Sequence, residues 1–194
     1  QKLSDVHENG ACARERWIAG IMGSIGSNLQ EVKRRIEAAA AAAGRGAESV
    51  TLLAVSKTFP AEAVRAAHAA GQRAFGENYV QEALAKIDAL ADLREHIEWH
   101  LIGPLQSNKT REVAAAFDWV HTVDRLKIAE RLSAQRPAHL APLSVCVQVN
   151  VSGESSKSGV APADVAALAR AVAALPRLRL RGLMSIPEPA QGLA

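Results

Sequence analysis

Cysteine is nearly missing from this chain: there are two, Cys12 and Cys146, far apart and outside any CxxC pattern. That argues against a disulfide framework or a cysteine zinc site and suits a reducing compartment. Excess charge is also slight, a formal +3 with Lys and Arg dispersed among Asp and Glu, so the electrostatic footprint of a nucleic-acid binder is missing. The cluster Lys33, Arg34, Arg35 reads as the solvated face of a helix. No apolar run approaches the roughly 20 residues that span a bilayer. The segment "RERWIAGIMGSIGS" has arginines before a short apolar stretch but is Gly-rich and lacks a leucine run, which argues against export. No G-x-G-x-x-G follows the first strand, and "SGESSKSG" lacks the spacing of a phosphate loop. It reads as a loop. No Ser/His/Asp arrangement is defined by spacing.

What is present is alternation. Residues 1–21 show no period and read as an extension, with Met22 a natural start. At Ser27 the run S-N-L-Q has the form of a capping box and predicts a helix start; Leu29, Val32 and Ile36 share a face, and Gly44 with Gly46 ends the helix. Beyond it, short apolar β-branched runs ("TLLAVSK", "RAFGENY", "EWHLIGPL", "DWVHTVD", "LSVCVQVNV", "LRLRGLMSI") alternate with helical patterns ("AEAVRAAHAAG", "QEALAKIDALADL", "KTREVAAAF", "RLKIAERLSAQR", "PADVAALARAVAAL"). This order predicts βαβ units and a parallel sheet covered by helices. Strand starts recur about every 25 residues, the compact repeat of a (β/α)8 TIM-type barrel rather than a doubly wound sheet. Six strands are countable where such a barrel has eight, so the expectation is a barrel truncated after about six strands, residues 22–194, with open sheet edges.

Functional groups in such a barrel gather where strands end. Lys57 is the one lysine at the end of an otherwise apolar strand. Partial desolvation would favour its neutral, nucleophilic amine, able to form a Schiff base with an aldehyde. The alternative is a snorkelling lysine that merely ends the strand. In "HIEWH", His96 and His100 are four apart, but Glu98 is misplaced for a helical zinc motif and His100 enters a strand. Trp99 and Trp119 each open a strand and read as packing residues.

Taken in order, "LLAVSKTFP", "FGENYVQEALAKI", "WHLIGPLQSNK", "HTVD", "VQVNVSGESSKSGV" and "LRGLMSIP" resemble the pyridoxal-phosphate homeostasis protein family, from about Ile25 to Pro189. The resemblance implies a barrel of the alanine racemase N-terminal type, cytosolic and monomeric, which binds pyridoxal 5'-phosphate (PLP) without a firmly established reaction. Lys57 falls on the family's Schiff-base lysine, and Asn78, His100, Asn150 and Met184 fall on positions lining the cofactor. For each of these four a structural role is the competing reading, since a strand-end Asn often satisfies loop backbone and Met usually fills core. Family members continue into two further strands that hold the cofactor phosphate, and this sequence stops at "PEPAQGLA" before both.

The function so implied is cofactor homeostasis: PLP is held as a Schiff base, displaced by another amine through transimination, and handed to PLP-dependent apoenzymes. Amino acids are the other implied partners. Two alternatives stand beside it: a PLP-dependent amino-acid racemase, and an inactive fragment. A racemase needs a second acid/base opposite the lysine, and the sequence has no tyrosine besides Tyr79.

Overall fold

The structure, a computed structural model, describes residues 24–153 and 158–187. The expected extension 1–21, the start at Met22, Cys12 and the centre of the "SGESSKSG" loop, including Lys157, lie outside the described residues. The chain divides into two compact units, residues 1–75 and 76–194.

In the first unit, helix α1 occupies residues 24–42. The predicted cap at Ser27 is incorrect. The helix already includes residue 24, and the Ser27 hydroxyl bonds back to the Ser24 carbonyl at 3.1 Å, within the turn. The predicted stop is present. Gly44 has φ 66°, its N–H donates to Ala41 O, and Arg45 N–H donates to Ala40 O. This double closure needs a left-handed residue that glycine adopts without steric cost. Strand β1, Ala54–Val55, is far shorter than the seven-residue run predicted for it. Helix α2, Ala61–Ala69, follows. The division between the units falls within strand β2, Ala74–Glu77, which is buried at all four positions.

In the second unit the alternation continues through α3 (Val80–Ala89), β3 (Glu98–Leu101), α4 (Thr110–Ala116), β4 (Trp119–Val123), α5 (Leu126–Gln135), β5 (Leu143–Gln148), α6 (Val165–Ala173) and β6 (Leu178–Met184). All six predicted strands exist, and they hydrogen-bond in chain order, β1-β2-β3-β4-β5-β6. That order is what a repeated right-handed βα crossover generates. Pro162 opens a 3-10 turn leading into α6, where its missing N–H costs nothing.

Pairing from β3 to β6 is parallel. Between Val120 and Val123 the register slips, so three steps along β4 match two along β5. This bulge keeps Val120 and Val123 on the face shared with Val145 and Val147, and all four are fully buried. The helices meet that face with Val113, Ile128, Leu132 and Val172, also fully buried. Each such side chain contributes about 1.5–3 kcal/mol by burial. Arg136, just past α5, donates to the carbonyls of Ala114, Phe117 and Ala141 at 2.7–2.8 Å. It thereby satisfies backbone acceptors that the end of α4 leaves over. The opposite face of β3–β6 carries Glu98, His100, Trp119, His121, Gln148 and Arg181.

Candidate functional site

The turn after β1 presents Lys57. Phe59 N–H donates to Ser56 O at 3.1 Å, closing the turn across Lys57 and Thr58. Thr58 has φ 66°, a left-handed conformation that costs a β-branched residue about 1–3 kcal/mol and is the kind of strain found at functional turns. Ser56 is buried and Lys57 exposed. The partial desolvation expected of Lys57 is therefore not there: the strand stops at Val55, so the lysine stands in the turn rather than within the sheet. Its amine has no hydrogen-bond or ion-pair partner among the described residues. An apolar cavity of about 360 Å³ lies between α1, β1 and α2, lined by Leu29, Leu53, Val55, Phe59, Val64 and Phe75 among others; Lys57 is not part of it.

In the second unit the ends of the strands interlock. Asn78 follows β2 directly and is half-buried. Ile102 N–H donates to Glu77 O at 2.9 Å, which brings the chain after β3 across the end of β2. Gly103 then lies on the Asn78 backbone, and Thr122 Oγ1 donates to Gly103 O at 2.8 Å. Asn150, just after β5, accepts from Gly153 N–H at 3.0 Å through Oδ1. Its own N–H donates to Val160 O at 2.9 Å. The loop-satisfying role weighed for Asn150 is thus present. Met184 ends β6 opposite Gln148, and its carbonyl accepts from Val149 N–H at 2.8 Å.

A cavity of about 170 Å³ opens at these strand ends, lined by Ile102, Pro104, Thr122, Gln148, Asn150 and Ile186 among others. Of the expected site residues in this unit, Asn150 lines it, whereas Asn78, His100 and Met184 do not. Thr122 and Gln148 are polar liners that sequence reasoning passed over. Thr122 sat within the quoted "HTVD", but its side of the strand depends on the β4 bulge.

His100 is embedded in β3 and 6% exposed. Its ring stacks on Trp119 with centroids 5.3 Å apart and planes 13° apart, and its Nδ1 lies 2.8 Å from His121 Nε2. Burial, and then the neighbouring His121, push the His100 pKa down to about 3. Burial lowers that of His121 as well. Both imidazoles are neutral near pH 7. Glu98 Oε1 stands 3.3 Å from His100 Nε2, yet the alignment is not that of a hydrogen bond, and Nε2 is buried without a partner among the described residues. Burial raises the Glu98 pKa, opposed by a hydrogen bond to the Trp119 side chain. Arg181 packs over the Trp119 ring at 5.5 Å. His96 lies in the 3-10 turn Ala91–His96, so it and His100 do not share a helix face.

Beneath the rim a buried ion pair joins β2 to α3. Lys86 Nζ contacts Glu77 Oε1 at 2.6 Å and Glu82 Oε1 at 3.1 Å, with Lys86 and Glu77 both withdrawn from solvent. It anchors the helix that follows the FGEN motif.

These features (strands hydrogen-bonded in chain order, helices between them, polar groups gathered at the strand ends) define a barrel-type fold of the alanine racemase N-terminal kind, and that domain family matches residues 27–193. The chain belongs to the pyridoxal phosphate homeostasis protein family. It is 67% identical over 168 residues to the pyridoxal phosphate homeostasis protein of Pseudomonas aeruginosa PAO1, spanning 87% of this chain and 72% of that protein. A crystal structure of a protein of unknown function from Bifidobacterium adolescentis is similar at TM-score 0.82 and 38% identity, covering 89% of this chain and 73% of that one. PipY of Synechococcus elongatus, solved with PLP bound, is similar at TM-score 0.66 and 44% identity, over 73% of this chain and 66% of PipY.

Proposed function

We propose that this chain binds PLP covalently through Lys57 and holds it in reserve for delivery, a reading supported by relatives that are named pyridoxal phosphate homeostasis proteins. The observation that carries the reading is the position of Lys57: directly after the first strand, in a strained turn, with an exposed amine that nothing among the described residues engages. PLP supplies an aldehyde that condenses reversibly with a primary amine. The residues suit such a group. An exposed, unengaged amine is accessible to an aldehyde, and the strand ends of the second unit carry a small cavity with the polar side chains of Thr122, Gln148 and Asn150.

In this reading Lys57 forms and releases the covalent link, and the turn holds its direction. Asn78, His100, Asn150 and Met184 shape the surroundings. The buried, neutral His100 brings no positive charge to those surroundings. Asn150 shapes the loop through its carboxamide. Handing PLP on to apoenzymes and exchange with amino acids belong to the same proposal. A racemase reading finds less support, since the relatives are named for homeostasis.

The test is the visible absorbance of the protein mixed with PLP, followed by borohydride reduction and peptide mapping. The label is expected on Lys57 and should vanish in Lys57→Ala. A label on Lys157, or none, overturns the assignment.

A further inference from the structure

On the face of the sheet away from the helices, three titratable side chains stand in a row, with Glu98 exposed at one end, His100 buried in the middle and His121 half-buried at the other end. His100 is nine-tenths buried between Trp119 and its neighbours, and both of its nitrogens face titratable groups: Nδ1 faces His121 Nε2 at 2.8 Å, and Nε2 faces Glu98 Oε1 at 3.3 Å. His121 is half-buried, and its Nδ1 has no partner among the described residues.

We propose that Glu98, His100 and His121 form an ordered proton relay from His121, whose Nδ1 accepts a hydrogen bond and then a proton from the ammonium group of a small primary amine, to the solvent-exposed carboxylate of Glu98. This rests on the proposed function, in which a primary amine must lose its proton before it can displace Lys57.

The order follows from tautomer bookkeeping. Two neutral imidazoles at 2.8 Å need one donor nitrogen and one bare nitrogen. The Glu98 carboxylate, held by the Trp119 indole, favours the His100 proton on Nε2, which leaves Nδ1 bare. His121 must then donate through Nε2, so its Nδ1 is the free acceptor. A lone pair backed by a carboxylate attracts a cationic donor and repels phosphate or carboxylate. In the transfer, the ammonium N–H bond breaks and its proton goes to His121 Nδ1. The His121 Nε2 proton passes to His100 Nδ1, and the His100 Nε2 proton passes to Glu98 once its carboxylate, 3.3 Å away, turns into line with Nε2. The products are a neutral amine with a lone pair, two neutral imidazoles and a protonated carboxyl group. No step leaves a charge on the buried His100, where it would be least stable.

The first test needs no cofactor. In protein labelled with 15N-histidine, long-range proton–nitrogen NMR at pH 7.5 should show both rings protonated at Nε2, with the preference at His100 collapsing to a mixture in Glu98→Met. A His100 protonated at Nδ1 in the unmodified protein overturns the order. The second test follows release. Protein loaded with PLP is mixed with alanine, and the rate of loss of the visible absorbance is normalised to the amount loaded. His121→Phe and His121→Gln should each slow release at least about tenfold, the lower range of general acid–base assistance. An unchanged rate in both variants overturns the relay. If borohydride labels nothing on Lys57, the proposed function fails by itself, and the NMR tautomers still decide the order of the three residues.

Discussion

Gly103 rests directly on the backbone of Asn78: a β-carbon placed on Gly103 would stand 2.1 Å from the Asn78 carbonyl oxygen. The neighbour is backbone and has no rotamer by which to give way. Gly103→Ala is therefore expected to push the turn after β3 off the end of β2 and to lose about 1–3 kcal/mol, the usual range for overpacking. Urea unfolding compared with the unmodified protein checks this, and an unchanged midpoint would mean that the two segments separate easily.

Lys57→Ala should separate function from stability. The side chain is exposed and unengaged among the described residues, so its removal should change stability by no more than about 0.5 kcal/mol. The absorbance of bound PLP should disappear entirely. A large drop in melting temperature would show that Lys57 carries structural weight.

Lys86 is the opposite case. Its ammonium is buried against Glu77 and Glu82. Lys86→Met leaves the Glu77 carboxylate buried without its cation and should cost about 3–5 kcal/mol. The double variant Glu77→Leu with Lys86→Met should recover much of that loss, because a pair of apolar side chains avoids the uncompensated charge. Thermal melts of the single and double variants decide between a charge effect and simple loss of packing.

The pH dependence has a definite sign. His100 titrates near 6.5 when unfolded and at about 3 when folded. The unfolded chain therefore binds the extra proton first, and stability falls as pH drops from about 6.5 toward 3, by at most about 1.4 kcal/mol per pH unit from this one group. Above pH 6.5 the group contributes no slope. Glu98, with its raised pKa, acts in the other direction around its own titration, while Arg181 packed on Trp119 and the nearby Asp118 set the field on that face. His100→Gln should flatten the acid limb of a plot of melting temperature against pH; an unaltered limb would assign it to other groups.

Much of this could be read from the chain itself. The six strand segments declare themselves as β-branched runs such as "LSVCVQV", and the helices between them by their 3.6-residue spacing, because burial on one face dictates residue type directly. What escaped depends on which segments meet. Ser27 has the chemistry of a cap but lies inside a helix, since local hydrogen bonding alone does not decide where a helix begins. Lys57 follows an apolar run, yet only two residues of that run pair as β1, so burial inferred from the run overshot. The His100–His121 contact joins residues 21 apart. It exists only because His100 is in register with Trp119, which puts His121 one step further along the same face. Neither histidine carries a local mark of the other.

The loop between β5 and α6 is closed at its base by two backbone hydrogen bonds, Asn150 N–H to Val160 O and Val160 N–H to Gln148 O, around the bridge Val149–Val160. A neck tied in this way uncouples the rim from whatever runs between its two sides. Closing a chain segment costs only about 0.6 kcal/mol more per doubling of its length, so a foreign peptide spliced in beyond this neck should leave the melting temperature nearly unchanged. A fluorophore-bearing insert there would stand near the cavity that Asn150 and Ser158 line, so a ligand entering that cavity should change its emission.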